Sequence, residues 1–65
     1  SDKLNISNPF GTVKATLFDA TSRVGGSYVL QNGENIFNIE SLNAGVYQLQ
    51  VNHDGEISNI RLVKN

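Results

Sequence analysis

From Gly45 to Val51 the chain reads G-V-Y-Q-L-Q-V, a strict alternation with Tyr47, Leu49 and Val51 on one side and Gln48 and Gln50 on the other. A period of two belongs to a strand packed on one face and wet on the other, because a helix would scatter those three apolar residues around its circumference. Upstream, Asn32-Gly33 tolerates the positive φ angles of a tight hairpin, so the chain is expected to reverse there. Phe37 and Ile39 then alternate with Asn38 in the strand that should follow. The stretch from Asn32 to Val51 is the part around which the other strands are arranged.

Within it, Leu42, Gly45 and Tyr47 are spaced L-x-x-G-x-Y at the start of a strand. This is the pattern of a tyrosine corner, in which the ring packs in the core and the hydroxyl reaches back to a backbone group near Leu42. Such a contact pins the crossover between two sheets. The alternative is that Tyr47 is one more core aromatic.

The remaining segments read the same way. Leu4 and Ile6 alternate with Asn5 and Ser7, and Asn8-Pro9-Phe10-Gly11 ends that strand because proline fixes φ and lacks an N–H. Val13, Ala15 and Leu17 face inward on a second strand that runs to Phe18. Asp19-Ala20-Thr21-Ser22 follows, a turn whose side chains hydrogen-bond their own backbone. Arg23-Val24 re-enters extended structure, Gly25-Gly26 marks a bulge or bend and is expected to break the strand, and Tyr28 and Leu30 resume the alternation. Asp54-Gly55 gives a second hairpin signal, and the last strand puts Ile60 and Leu62 inward, Arg61 outward. No segment has a helical apolar period. The expectation is one all-β domain over residues 1–65 with about six short strands, arranged as a small sandwich.

Composition narrows the functions open to it. With 65 residues and no cysteine, the chain has no disulfide framework, and a core this small rarely supplies more than about 3–5 kcal/mol. Five basic and six acidic residues leave a net charge of −1, which gives no field towards nucleic acid or anionic lipid. No apolar run approaches the roughly 18–20 residues of a membrane span, so no direct membrane insertion is expected.

Chemistry is equally sparse. His53 is the sole histidine and sits in a turn, where an exposed polar residue is the ordinary reading. Asp19, Asp54 and Glu56 are scattered, so neither zinc nor calcium ligand spacing is present. The serines lack a nucleophile-elbow context, and Asp19 and Glu40 are better read as a turn former and a surface charge than as a catalytic pair. The residues therefore point to a non-enzymatic module without catalytic residues, cofactor or metal: a spacer, a binder or an address label.

Several of these motifs, taken in order, resemble the type A C-terminal sorting domain of the type IX secretion system of Bacteroidota. Leu17-Phe18-Asp19-Ala20-Thr21-Ser22-Arg23-Val24 stands where that family has L-Y-D-x-x-G-R-x-V. Asn32-Gly33 and Phe37-Asn38-Ile39 match its turn and I-N-I-like strand. Leu42, Gly45, Tyr47, Leu49 and Val51 match L-x-x-G-x-Y-x-L-x-V, and Arg61-Leu62-Val63-Lys64-Asn65 matches its K-L-V-x-K-like close. The departures are Ser22 in place of glycine, Gly25-Gly26 within a usually apolar strand, and no counterpart of the opening Y-P-N-P strand. Ser22 must then either avoid the left-handed region or bear strain there.

The resemblance implies an Ig-like, Greek-key antiparallel sandwich of six to seven strands, here expected to lack its first. It implies a signal that takes a cargo protein from the periplasm across the outer membrane to the cell surface or medium. A sortase-like peptidase would remove the domain, and the cargo would be attached or released. The partners would be outer-membrane type IX components and that peptidase, and an edge strand left uncovered would favour self-association. The surface expected to be read is the last strand, Arg61, Leu62, Val63, Lys64 and Asn65, with Leu17, Phe18, Asp19 and Arg23. The competing reading is a fibronectin-type-III-like or Ig-like spacer or adhesion module. A carbohydrate-binding module is disfavoured by an aromatic content of 8% without tryptophan.

Overall fold

A computed structural model describes residues 3–65, so Ser1 and Asp2, the opening of the segment placed after the family's first strand, lie outside the described residues. Among the described residues there are six strands and no helix: β1 Lys3–Asn8, β2 Val13–Asp19, β3 Val24–Leu30, β4 Gly33–Asn38, β5 Gly45–His53 and β6 Glu56–Lys64. They form two antiparallel sheets, β1-β4 and β3-β2-β5-β6, that face each other as a small sandwich. The chain changes sheet between β1 and β2, β3 and β4, and β4 and β5.

Alternation decides which side chains go inside. Val13, Ala15 and Leu17 of β2, Leu30 of β3, Tyr47 and Leu49 of β5 and Ile6 of β1 form the buried cluster. Leu17 lies opposite Leu49 in the β2–β5 ladder, and both are fully buried. Each such leucine contributes about 1.5–3 kcal/mol by leaving water. Tyr28 of β3 meets Phe37 of β4 with ring centroids 4.7 Å apart, which sets β4 over the β3 side of the larger sheet. The smaller sheet does not extend over β6: Leu49 is 0% exposed, whereas Ile60, its ladder partner on the same face, is 40% exposed.

The expectations at Asn32-Gly33 and at His53 need correction. Asn32-Gly33 is a sheet change rather than a hairpin, for β3 and β4 lie in different sheets. Side chains hold that crossover. The buried Asn35 amide accepts from Gln31 N–H at 2.8 Å and donates to the carbonyls of Gln31, Gly33 and Ile6 at 2.9, 3.1 and 3.3 Å. Asn8, also buried, donates to the Gly11 and Gln31 carbonyls, both at 3.0 Å, and Asn32 donates to the Phe10 carbonyl at 2.8 Å. These bonds satisfy main-chain groups that a hairpin ladder would otherwise have paired. His53 is half-buried rather than exposed, because its ring stacks on Phe10 at 3.8 Å between centroids and 14° between planes.

The Asp54-Gly55 turn signal is realised, whereas the break expected at Gly25-Gly26 is not. Asp54 and Gly55 have φ of 51° and 83°, the paired positive values of a two-residue hairpin loop joining β5 to β6. At Gly25-Gly26 the strand continues with a bulge: Leu17 pairs with Gly26 and Phe18 with Val24, leaving Gly25 as the extra residue.

Tyr47 forms the expected corner. Its hydroxyl donates to the Asn43 carbonyl at 2.7 Å while its ring is buried, and Gly45, with φ of 152°, lets the chain turn from the crossover into β5. Tyr47→Phe keeps the ring and removes that bond. It is expected to lower stability by about 1–2 kcal/mol in urea denaturation with circular dichroism unchanged, and an unshifted midpoint would leave the hydroxyl without a structural role.

Candidate functional site

The β2–β3 turn is a small hydrogen-bonded unit built on one carboxylate. Asp19 Oδ1 accepts from the Thr21 hydroxyl at 2.7 Å, from Thr21 N–H at 2.9 Å and from Arg23 N–H at 3.0 Å. Its Oδ2 accepts from Arg23 Nε at 3.3 Å, and the same Nε donates to Thr21 Oγ1 at 3.1 Å. Main-chain bonds close the loop, with Asp19 N–H donating to the Arg23 carbonyl at 2.9 Å and Ser22 N–H to the Asp19 carbonyl at 3.0 Å. Donors converging on a carboxylate favour its charged form. The Thr21 hydroxyl contributes most, then Arg23 N–H, and together with the Thr21 N–H and the guanidinium they hold Asp19 at about 2 against an ordinary 3.8. The Arg23 guanidinium is otherwise in solvent, so its ion pair adds little.

Ser22 occupies the left-handed region with φ of 66°, so the serine bears the strain rather than avoiding it. The loop over-determines that conformation, since bonds to Asp19 flank it on both sides.

This turn borders a cleft of about 260 Å³ lined by Asp19, Ala20, Ser22, Val46, Tyr47, Gln48 and Arg61. A second hollow, about 200 Å³, continues it across Thr21, Asn43, Ala44 and Gly45. One end of the sandwich therefore gathers the Asp19 turn, the tyrosine corner and the outward face of β6. Arg61 lies opposite Gln48 in the ladder and is exposed. Chemically the cleft offers a guanidinium, an amide and the Ser22 hydroxyl beside Val46 and Tyr47. No group of three or more His, Asp or Glu side chains that could hold a metal is found among the described residues.

The residues singled out in the sequence fall into four sets. Asp19 and Arg61 border the cleft, with Arg23 in the same turn and Phe18 half-buried on the outer face beside Gln48. Leu17 is wholly inside, and Leu42, Leu62 and Val51 pack against the core, so these contribute by packing. Val63 is 61% exposed and Asn65 is exposed, both open to a partner. Lys64 is engaged within the fold: its Nζ donates to the Glu40 carbonyl at 3.1 Å and the Leu42 carbonyl at 2.7 Å, tying the end of β6 to the β4–β5 crossover. Gln48 and Val46 are not picked out by the sequence; Gln48 belongs to the wet face of the alternation, which marks exposure without marking position.

No family model, curated protein or solved structure matches this chain.

Two outcomes test the turn. Ser22→Gly relieves the left-handed strain and is expected to raise stability by about 1 kcal/mol in urea denaturation, whereas Ser22→Ala should bring no gain. Because the folded-state pKa of Asp19 is depressed, its contribution is fully present above the ordinary value of 3.8 and is lost as pH falls through about 2. In an NMR titration the Thr21 and Arg23 amides should move with a midpoint near 2, and Asp19→Asn should abolish that step. A midpoint at the ordinary value would show the turn to be open in solution.

Proposed function

We propose that this chain is a non-catalytic C-terminal sorting domain, a folded address that directs a cargo protein through a type IX secretion system across the outer membrane. A sortase-like peptidase then removes it as the cargo is attached at the cell surface or released. One observation carries the reading: three of the segments on which the resemblance rests, far apart in sequence, meet around one cleft. Asp19 and Ser22 come from residues 17–24, Tyr47 from residues 42–51 and Arg61 from the closing segment. A signal read from outside the molecule needs a rigid, composite surface of this kind, and here the hydrogen-bonded turn and the tyrosine corner supply the rigidity. The domain acts as substrate and ligand, with outer-membrane secretion components and the peptidase as its partners and no cofactor.

The strand order β3-β2-β5-β6 over β1-β4, with a tyrosine corner at the crossover, equally favours an Ig-like or fibronectin-type-III-like spacer or adhesion module. The two readings differ in whether the chain moves a cargo. A reporter bearing a signal peptide and this chain at its C-terminus is expected to reach the surface or medium of a Bacteroidota host with an intact type IX system. Arg61→Ala, which leaves the core untouched, is expected to hold the reporter in the periplasm in folded form. A wild-type fusion that folds yet stays periplasmic would give the function to the spacer reading.

A further inference from the structure

Strand β6 has one neighbour, β5, and its other edge is unpaired among the described residues. Sheet edges are ordinarily blunted by proline, bulges, shortness or central charge. The nine residues of β6, E-I-S-N-I-R-L-V-K, contain no proline, pair with β5 in unbroken register from Glu56 to Lys64, and leave Ile57, Ile60 and Val63 exposed. By contrast, the opposite edge of that sheet, β3, is interrupted by the bulge at Gly25.

The sequence of β6 is complementary to itself when reversed about Ile60. Antiparallel pairing of two copies in that register sets Glu56 against Lys64, Ile57 against Val63, Ser58 against Leu62, Asn59 against Arg61 and Ile60 against Ile60. Opposite charges meet at both ends, and apolar pairs meet on the outer face. No like charges are opposed.

The backbone admits the same register. The two-residue turn at Asp54-Gly55 makes His53 and Glu56 a hydrogen-bonded pair, so alternate residues from Glu56 onward bond to β5. Ile57, Asn59, Arg61 and Val63 then direct their N–H and C=O groups to the free edge. The register about Ile60 pairs these residues only with one another, forming four mutually bonded pairs and about eight hydrogen bonds. Ile60 falls at a non-hydrogen-bonded pair, where side chains approach most closely, and its 40% exposed side chain would be covered by its own copy. Lys64 spends two donors on the Glu40 and Leu42 carbonyls, and an ammonium has a third for Glu56 of the second copy.

We infer that β6 is a homodimerisation edge: two copies of this chain join antiparallel through β6, with the two-fold axis at Ile60, into a continuous eight-stranded sheet. An interface made chiefly by one ladder lies at the small end of specific contacts, below about 1,200 Å², so the dimer forms with rising concentration and exchanges. The pairing rests on β6 alone and is independent of the sorting proposal.

Sedimentation velocity over a concentration series tests it. The wild-type mass is expected to rise from 7.1 kDa towards twice that value, while Asn59→Pro, which removes a donor aimed at the free edge and none used by β5, should stay monomeric with an unchanged circular dichroism spectrum. Since the chain has no cysteine, Ile60→Cys supplies a single thiol that meets its own copy at the axis. Mild oxidation should cross-link it as a dimer, whereas Ser58→Cys, which faces Leu62 of the second copy, should remain uncoupled. Wild-type protein that stays at 7.1 kDa at its highest soluble concentration would overturn the inference, as would equal cross-linking of the two cysteine variants.

Discussion

The contact between Leu17 and Leu49 is the point on which the remainder of this sandwich depends. The two side chains lie opposite each other at the centre of the β2–β5 ladder, and neither has any surface left to solvent. Because side chains alternate across a strand, a slip of one residue in either strand would turn this pair, and with it Val13, Ala15 and Tyr47, onto the wet face. So few large side chains are fully buried, namely Leu17, Leu30 and Leu49, that nothing else could offset the loss. The register of the central ladder is therefore strongly specified, and it in turn places Tyr47 at the crossover and Asp19 at the lip of the cleft.

Polar side chains close the two ends of the sandwich core in different ways. At one end the neutral amides of Asn8 and Asn35 lie buried and bond carbonyls of two sheet crossings. At the other, a carboxylate on the rim gathers three donors onto Oδ1 without leaving contact with water. The chemistry fits the depth, since burying an amide is tolerable once its bonds are met, whereas a buried charge is not.

How much of this was legible follows from how local each signal is. The strands of Val13–Asp19 and Gly45–His53 could be read from alternation alone, and Asp54-Gly55 from turn chemistry, since both depend on neighbours in the chain. The tyrosine corner was legible for the same reason, its hydroxyl bonding only four residues back. Asn35 was not, because its amide is worth burying only where the Ile6 carbonyl arrives from 29 residues away. Asn32-Gly33 misled because a glycine turn says that the chain reverses without saying which sheet it rejoins. Asp19 and Arg61, both singled out, border the cleft, whereas Lys64, expected on the recognised surface of the last strand, turns inward to carbonyls of the β4–β5 crossover that no local pattern shows.

The spacing of paired strands along the chain also sets an order in time. The hairpins β2–β3 and β5–β6 join neighbours through short turns and close at small entropic cost, whereas pairing β1 with β4 must bring Lys3 to Asn38, and pairing β2 with β5 must bring Lys14 to Asn52. Non-local pairings of that kind govern the folding rates of all-β domains. The two hairpins are thus in place before the long-range ladders close, and until those close the inner side chains stand open to water. For a domain without disulfides, the interval before β2 meets β5 and β1 meets β4 is the period of greatest exposure to proteases and to other unfolded chains.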